Sequence, residues 1–270
     1  TYTRLNNARR LNHNGWFILG YWRKRLQSIK IKQNIRGIKS MVDQRGWKLK
    51  IGAVVPSTNT IVQPDFDDLR KTGITNHIAR ISIPNMKIKT DKDFDEMVRL
   101  SESDLIAAVD RVQTAVPDTL IIGMSSLIVW DGYKASIARK ELLEDRTGVP
   151  VTGGSFAVAE ALRQFDVKNI AILSPYMPIA DQHITKFFSD LGFNVIRFIG
   201  LKCSSPVAIA SVSPQELSQA LDKIDGTDID ALVQFGTNLN FMHQAGIEEK
   251  NRQKPVIAIN SASYWHALRL

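Results

Sequence analysis

Cysteine is nearly missing from this chain. Cys203 is the only one in 270 residues, so no disulfide can close within it. That fits a reducing compartment and makes a cytoplasmic location the expectation. Long apolar runs are missing too. None reaches the roughly 18 residues that a membrane span needs, so no membrane is expected for the body of the chain. The five histidines (His13, His77, His183, His243, His266) show no metal-ligand spacing, and no metal or other cofactor is expected. There is no Walker-type phosphate loop, and Gly153-Gly154 is a lone pair that marks a turn. No serine sits in a nucleophile-elbow pattern.

Acidic residues are missing from positions 1–40, which hold ten lysines and arginines. The remainder carries 25 basic against 27 acidic residues, so the net charge of +8 belongs to the tail. That distribution argues against nucleic acid as a partner of the body. The basic extension, 1–47, has three readings. Met41 stands just before the first regular element and is a natural start. An Arg-rich, acid-free stretch is also what an organellar targeting segment looks like, although this one is rich in Asn and poor in Ser. Third, Trp16, Phe17, Ile18, Leu19, Tyr21 and Trp22 beside Arg23-Lys24-Arg25 suit an arm lying on a membrane or nucleic acid. Beyond it, 44% hydrophobic and 23% charged residues are globular proportions. The length is enough to bury a sizeable core.

From Lys48 onward the pattern alternates. Strands are predicted at Lys50–Val55, His77–Ile83, Asp118–Gly123, Val149–Thr152, Lys168–Leu173, Asn194–Ile199, Asp230–Gln234 and Pro255–Ile259. Helices are predicted at Glu96–Val116, Lys134–Arg146, Ser155–Phe165, Ile179–Leu191, Pro214–Ile224, Phe241–Asn251 and Ala262–Leu270. The strands are β-branched runs, several of them continuously apolar, and the helices carry apolar residues at helical spacing. Such alternation implies parallel sheets covered on both faces.

Four strands end in a similar phrase: VVPSTNT (54–60), IIGMSS (121–126), AILSPY (171–176) and LVQFGTN (232–238). Two fall in each half of the chain, as a duplicated α/β unit would give. Ligands of open parallel sheets bind beyond the carboxyl ends of the strands. There these loops supply Ser57, Thr58, Asn59, Thr60, Ser125, Ser126, Ser174, Tyr176, Thr237 and Asn238, and the last strand adds Asn260 and Ser261. No Lys, Arg or Asp stands inside the four phrases. Neutral donors suit a carboxylate better than a polyphosphate. Ser, Thr and Asn also cap helices routinely, and both readings stand at this point. Asp181, His183 and His266 lie close to these loops in sequence, with surface or packing roles as the plainer account.

The phrase Val55-Pro-Ser-Thr-Asn-Thr followed by Pro64-Asp65 resembles the opening motif of the maleate isomerase and arylmalonate decarboxylase branch of the aspartate/glutamate racemase superfamily. Gly123-Met-Ser-Ser-Leu, Leu173-Ser-Pro-Tyr176, Gln234-Phe-Gly-Thr-Asn-Leu239 and the ending Asn260–Arg269 are similar to further loops of that family, in order, over 48–270. The resemblance implies an α/β fold of two similar parallel-sheet halves with flanking helices, racemase-like and related by a pseudo-twofold. It divides the chain into 48–160 plus 255–270 for the first half and 161–254 for the second. It implies a cofactor-independent enzyme acting next to the carboxylate of a small mono- or dicarboxylate, a decarboxylase or cis–trans isomerase, and it is compatible with a homo-oligomer. Asn59, Ser57, Ser125, Thr237 and Asn238 would bind substrate. Ser126, Tyr176 and Gly236 would take part in the chemistry.

The family pattern is also broken. Racemases and maleate isomerases of this kind use two facing cysteines. The first position falls at Met124, or at Ser125 with one shift, and the second at Gly236. A two-thiol mechanism is therefore unavailable. The decarboxylase branch, with a hydroxyl and backbone cradle for one carboxylate, is the closer match. Its acid is unassigned among Tyr176, Asp181, His183 and a water near Gly236. The alternative is a non-catalytic carboxylate binder that kept the pocket.

Overall fold

The computed structural model describes residues 43–270, so the readings of the basic tail up to residue 42 lie outside the described residues. Two sheets organise the fold. In chain order the elements are β1 (Leu49–Pro56), α1 (Val62–Leu69), β2 (Ile74–Ile81), α2 (Asp91–Gln113), β3 (Thr119–Ile122), α3 (Ser125–Val129), α4 (Gly132–Thr147) and β4 (Val151–Gly153). They continue with α5 (Gly154–Gln164), β5 (Asn169–Ser174), α6 (Pro178–Asp190), β6 (Asn194–Gly200), α7 (Pro214–Ile224), β7 (Ala231–Gln234), α8 (Met242–Arg252), β8 (Val256–Ala258) and α9 (Ile259–Ala267).

The strand orders are β2-β1-β3-β4 and β6-β5-β7-β8, and every pairing is parallel. Each half therefore starts at an inner strand, steps out to an edge, and returns past its start. The reversal lies between β1 and β3 in one half and between β5 and β7 in the other. In a parallel sheet that reversal opens a crevice at the carboxyl ends, because the flanking connections diverge to opposite faces. The four loop phrases follow these four strands.

Local chemistry accounts for most boundaries. The inner strands β3 and β7 are wholly buried, and β1 is buried over its last six residues, as strands covered on both faces should be. Thr90 opens α2 and Ser213 opens α7, each with an acidic residue three positions on that completes a reciprocal cap. Proline stands in the first turn of α6 and α7, where its missing N–H costs nothing. Gly148 closes α4 with φ +69°, a conformation that suits glycine.

Several features differ from the sequence reading, among them the start of α2 at Asp91 and of α9 at Ile259. Helices α1 and α3 have no counterpart among the predicted elements, since each is short, eight and five residues. Strand β2 begins three residues before the expected start, because its register is set by pairing with β1. Strand β8 pairs with β7, so Val256–Ala258 belong to the second sheet, and the grouping of 255–270 with the first half is wrong for the strand. Helix α9 crosses back and packs on α5 and α1.

Packing joins the halves. One core cluster runs from Val54, Ile122 and Leu127 through Phe187, Phe188 and Phe235. A smaller one gathers Ile51, Val55, Phe66 and Tyr264 between β1, α1 and α9. Among the described residues no helix is long and apolar enough to cross a membrane.

Candidate active site

The β1 loop delivers one side chain to the seam between the halves. Asn59 is 3% exposed. Its Oδ1 accepts from the amides of Ile61 (3.0 Å) and Val62 (2.9 Å), a local asparagine turn that starts α1. The other end of the amide is thereby aimed outward from the loop, and Nδ2 donates to Thr237 Oγ1 at 3.2 Å. Ser57 does not join it. Its hydroxyl donates to the Ile83 carbonyl (3.0 Å) and accepts from the Ile83 amide (3.1 Å). It extends the pairing of β1 and β2 and lies at the surface.

The β3 loop supplies two serines at the start of α3, both buried. Ser125 Oγ and the Tyr176 phenol share a hydrogen bond of 3.0 Å, and Ser126 lies near enough to act on the same phenol. Tyr176 is held from behind: its amide donates to Ser174 Oγ at 3.2 Å, and its ring packs on Phe94 with centroids 5.0 Å apart. Burial pushes the phenol pKa up to about 12 against the two serines, so it stays a proton donor throughout the physiological range.

The β7 loop completes the arrangement. Gly236 has φ +136°, a conformation open essentially to glycine alone. Its carbonyl accepts from Gln234 Nε2 (2.7 Å) and the Leu239 amide (3.2 Å). Thr237 Oγ1 donates to the Gly123 carbonyl at 2.9 Å. Asn238 accepts from the Thr60 amide (2.9 Å) and donates to the Pro206 carbonyl (2.9 Å). So Asn59, Thr60, Gly123, Ser125 and Ser126 of the first half meet Tyr176, Thr237 and Asn238 of the second. Of the residues to which the resemblance gives a site role, Ser57 stays outside this junction, and the Gly236 carbonyl bonds within its own half.

Other candidates separate from it. Asp181 accepts from Ser174 Oγ at 2.9 Å, and burial pushes its pKa up to about 6. His183 stacks on Trp130 with centroids 4.4 Å apart. His266 Nδ1 bonds to Thr152 Oγ1 at 2.7 Å, against the first sheet. Among the described residues no three His, Cys, Asp or Glu side chains stand close enough to hold a metal.

Cys203 follows β6, away from the loops in sequence, yet the fold brings it beside one of them. The amides of Leu201, Lys202 and Cys203 donate to the carbonyls of Ser174 (2.8 Å), Tyr176 (3.2 Å) and Pro175 (2.9 Å). Its thiol is half-buried, and burial, with Glu216 adding to it, pushes the pKa up to about 11. It is a neutral thiol and a poor nucleophile.

Two residues of the junction have no assigned role in the sequence reading. Asp65 of α1 is 6% exposed and accepts from Asn260 Nδ2 at 2.8 Å. The same Nδ2 donates to the Thr237 carbonyl at 3.0 Å. Asp65 lies within the opening motif and Asn260 among the loop donors, but nothing local shows that the two meet.

Known proteins resemble this chain in sequence and in fold. The sequence model of the arylmalonate decarboxylase family matches residues 51–270. The maleate isomerase of Pseudomonas putida is 24% identical over 233 residues, 82% of this chain and 90% of that protein. The maleate isomerase of Alcaligenes faecalis is 22% identical over 201 residues, 68% and 75%. Among solved structures, a variant of the Nocardia farcinica maleate isomerase with a covalently bound succinylcysteine intermediate superposes with a TM-score of 0.75 at 19% identity, over 82% of this chain and 91% of that one. Arylmalonate decarboxylase superposes with a TM-score of 0.62 at 19% identity, over 82% and 92%. These superpositions carry the shared fold.

Proposed function

We propose, on the footing that this chain belongs to the arylmalonate decarboxylase family, that it is a cofactor-independent enzyme acting on the carbon next to the carboxylate of a small dicarboxylic acid, and that it is a decarboxylase. The meeting of Asn59 with Thr237 and of Ser125 with Tyr176 across the seam carries this reading. These are uncharged side chains from opposite halves, buried where water is scarce, and among the described residues Arg80 reaches only the backbone carbonyls of this loop, at Asn59 and Pro56, and not the side chains. One substrate carboxylate would replace the bonds these groups now make to each other. The other would lie against apolar surface, where losing its hydration favours departure as neutral CO2. The carbon–carbon bond breaks, its electron pair moves into an enediolate, and the hydroxyls of Ser125, Ser126 and Tyr176 stabilise the new charge. Tyr176, protonated and facing the serines, would return a proton to the carbon and recover it from water.

Decarboxylation is favoured over cis–trans isomerisation by the thiols. A succinylcysteine like the one bound in the Nocardia farcinica variant would have no thiol to form on here, since the resemblance assigns the cysteine positions to Met124, or Ser125 with one shift, and to Gly236. A second reading rests on the same residues: a carboxylate-binding protein without turnover. Pro175 fills the direction in which a Gly236 side chain would point, which suits a site that holds an anion and transfers no proton from that wall.

Turnover of a panel of malonates and maleate by the purified protein tests the first reading. Turnover of a malonate, lowered at least about a hundredfold in Tyr176→Phe, is expected, the size typical of losing one oxyanion donor. Thermal stabilisation by dicarboxylates without turnover supports the second reading. Neither turnover nor stabilisation would refute both.

A further inference from the structure

Beneath the seam lies a carboxylate that the proposed chemistry does not use. Asp65 sits in the first turn of α1, nearly sealed from water. No lysine or arginine among the described residues pairs with it. The titratable groups acting on it are Asp68, on its own helix, and His243 at the start of α8, which face each other at 3.9 Å in the open. Strand β2 turns Arg80 instead to the Asn59 carbonyl (2.5 Å) and Gln63 (2.9 Å). Helix α9 brings the uncharged Asn260 and Tyr264 to this region. The Asp65 carboxylate is therefore buried for the sake of one neutral partner, Asn260.

That partner is itself 3% exposed. Its Nδ2 is shared between Asp65 Oδ2 (2.8 Å) and the Thr237 carbonyl (3.0 Å). Its Oδ1 has no donor among the described residues. A buried amide with an idle oxygen gains by rotating unless something forbids it. An ionised carboxylate is a pure acceptor, so it forces the NH2 end of Asn260 toward itself, and hence toward Thr237. We infer that Asp65 and Asn260 are positioning residues. The acceptor-only carboxylate fixes the Asn260 amide, which holds the Gly236–Asn238 loop where Thr237 meets Asn59. The inference rests on the reading of that junction as the carboxylate site.

A protonated Asp65, or the amide that Asp65→Asn puts in its place, has a donor to offer Asn260 Oδ1. The Asn260 amide can then turn, and the Thr237 carbonyl loses its partner. Burial pushes the Asp65 pKa up to about 6, so the effect falls in an accessible range.

The test uses the full chain and phenylacetate, a monocarboxylate that titrates well below that value. Binding is measured by calorimetry between pH 5.5 and 8, with unfolding temperature recorded alongside. In wild type, affinity falls as the pH is lowered. In Asp65→Asn it is about tenfold weaker at pH 8, the scale of one oriented hydrogen bond, and flat with pH. Asn260→Ala, which leaves the carboxylate in place, gives the same loss and serves if Asp65→Asn does not fold. Phenylacetate affinities within twofold of wild type in a folded variant, with an unchanged pH profile, would overturn the inference and leave the proposed function standing. A wild type that binds neither phenylacetate nor any dicarboxylate would overturn both.

Discussion

Replacing Gly236 with alanine probes the wall of the junction that the resemblance assigns to a thiol. Two costs can be worked separately. At φ +136° an L side chain is held in a region that glycine alone occupies freely, a strain of about 1–3 kcal/mol. The new Cβ would also press into the Pro175 ring, 2.7 Å from its Cγ and closer to its Cδ. That ring is tied to the backbone at both ends, and its carbonyl is held by the Cys203 amide at 2.9 Å, so it cannot swing aside. Overpacking of this kind costs about 1–3 kcal/mol more. Urea unfolding of Gly236→Ala should therefore show a loss of roughly 2–6 kcal/mol, the sum of those two ranges. In a double-mutant cycle, Pro175→Ala should recover the steric share and leave the backbone share. Gly236→Ala within about 0.5 kcal/mol of wild type, the scatter expected for an indifferent substitution, would refute the argument. So would a cycle with no coupling. Gly236→Cys should suffer the same penalties, so one substitution should not rebuild a thiol site at this wall.

Two other predictions follow from the titrations. Cys203, with its pKa at about 11 against an ordinary 9.0, should react with a thiol-directed reagent at neutral pH about a hundredfold more slowly than a free thiol, because the thiolate is the reacting form; a rate near that of free cysteine would contradict the burial. Asp181 takes up its proton more readily when folded, at about 6 against 3.8, so its contribution to stability is greatest in acid and declines as the pH rises through that interval. Wild type should lose about 1 kcal/mol relative to Asp181→Asn between pH 5 and pH 8, read from unfolding at the two values, and parallel curves would refute it.

Much of the fold was legible because the inner strands are short apolar runs and helices such as Asp91–Gln113 and Pro214–Ile224 carry a reciprocal cap and an apolar stripe. The pair of short helices was not. Val62–Leu69 and Ser125–Val129 are too brief to show a clear period. The neutral donors of the site were visible as four matching strand ends, but their individual fates were not. Ser57 and Asn59 stand two residues apart, and one faces Ile83 while the other faces Thr237, because a turn residue's direction depends on which amide it caps.

What the sequence determined alone was the alternation of strands and helices, the duplication, the near-neutral body and the scarcity of thiol. All of these are carried by local pattern and composition. Tertiary structure alone decided that β8 joins the second sheet, that Cys203 lies beside Pro175, and that Asp65, Asn260 and Thr237 share one amide across 195 and 23 residues of chain. Such contacts are set by how two sheets stack their carboxyl ends. No periodicity in the chain records which distant side chains that stacking will bring within 3 Å.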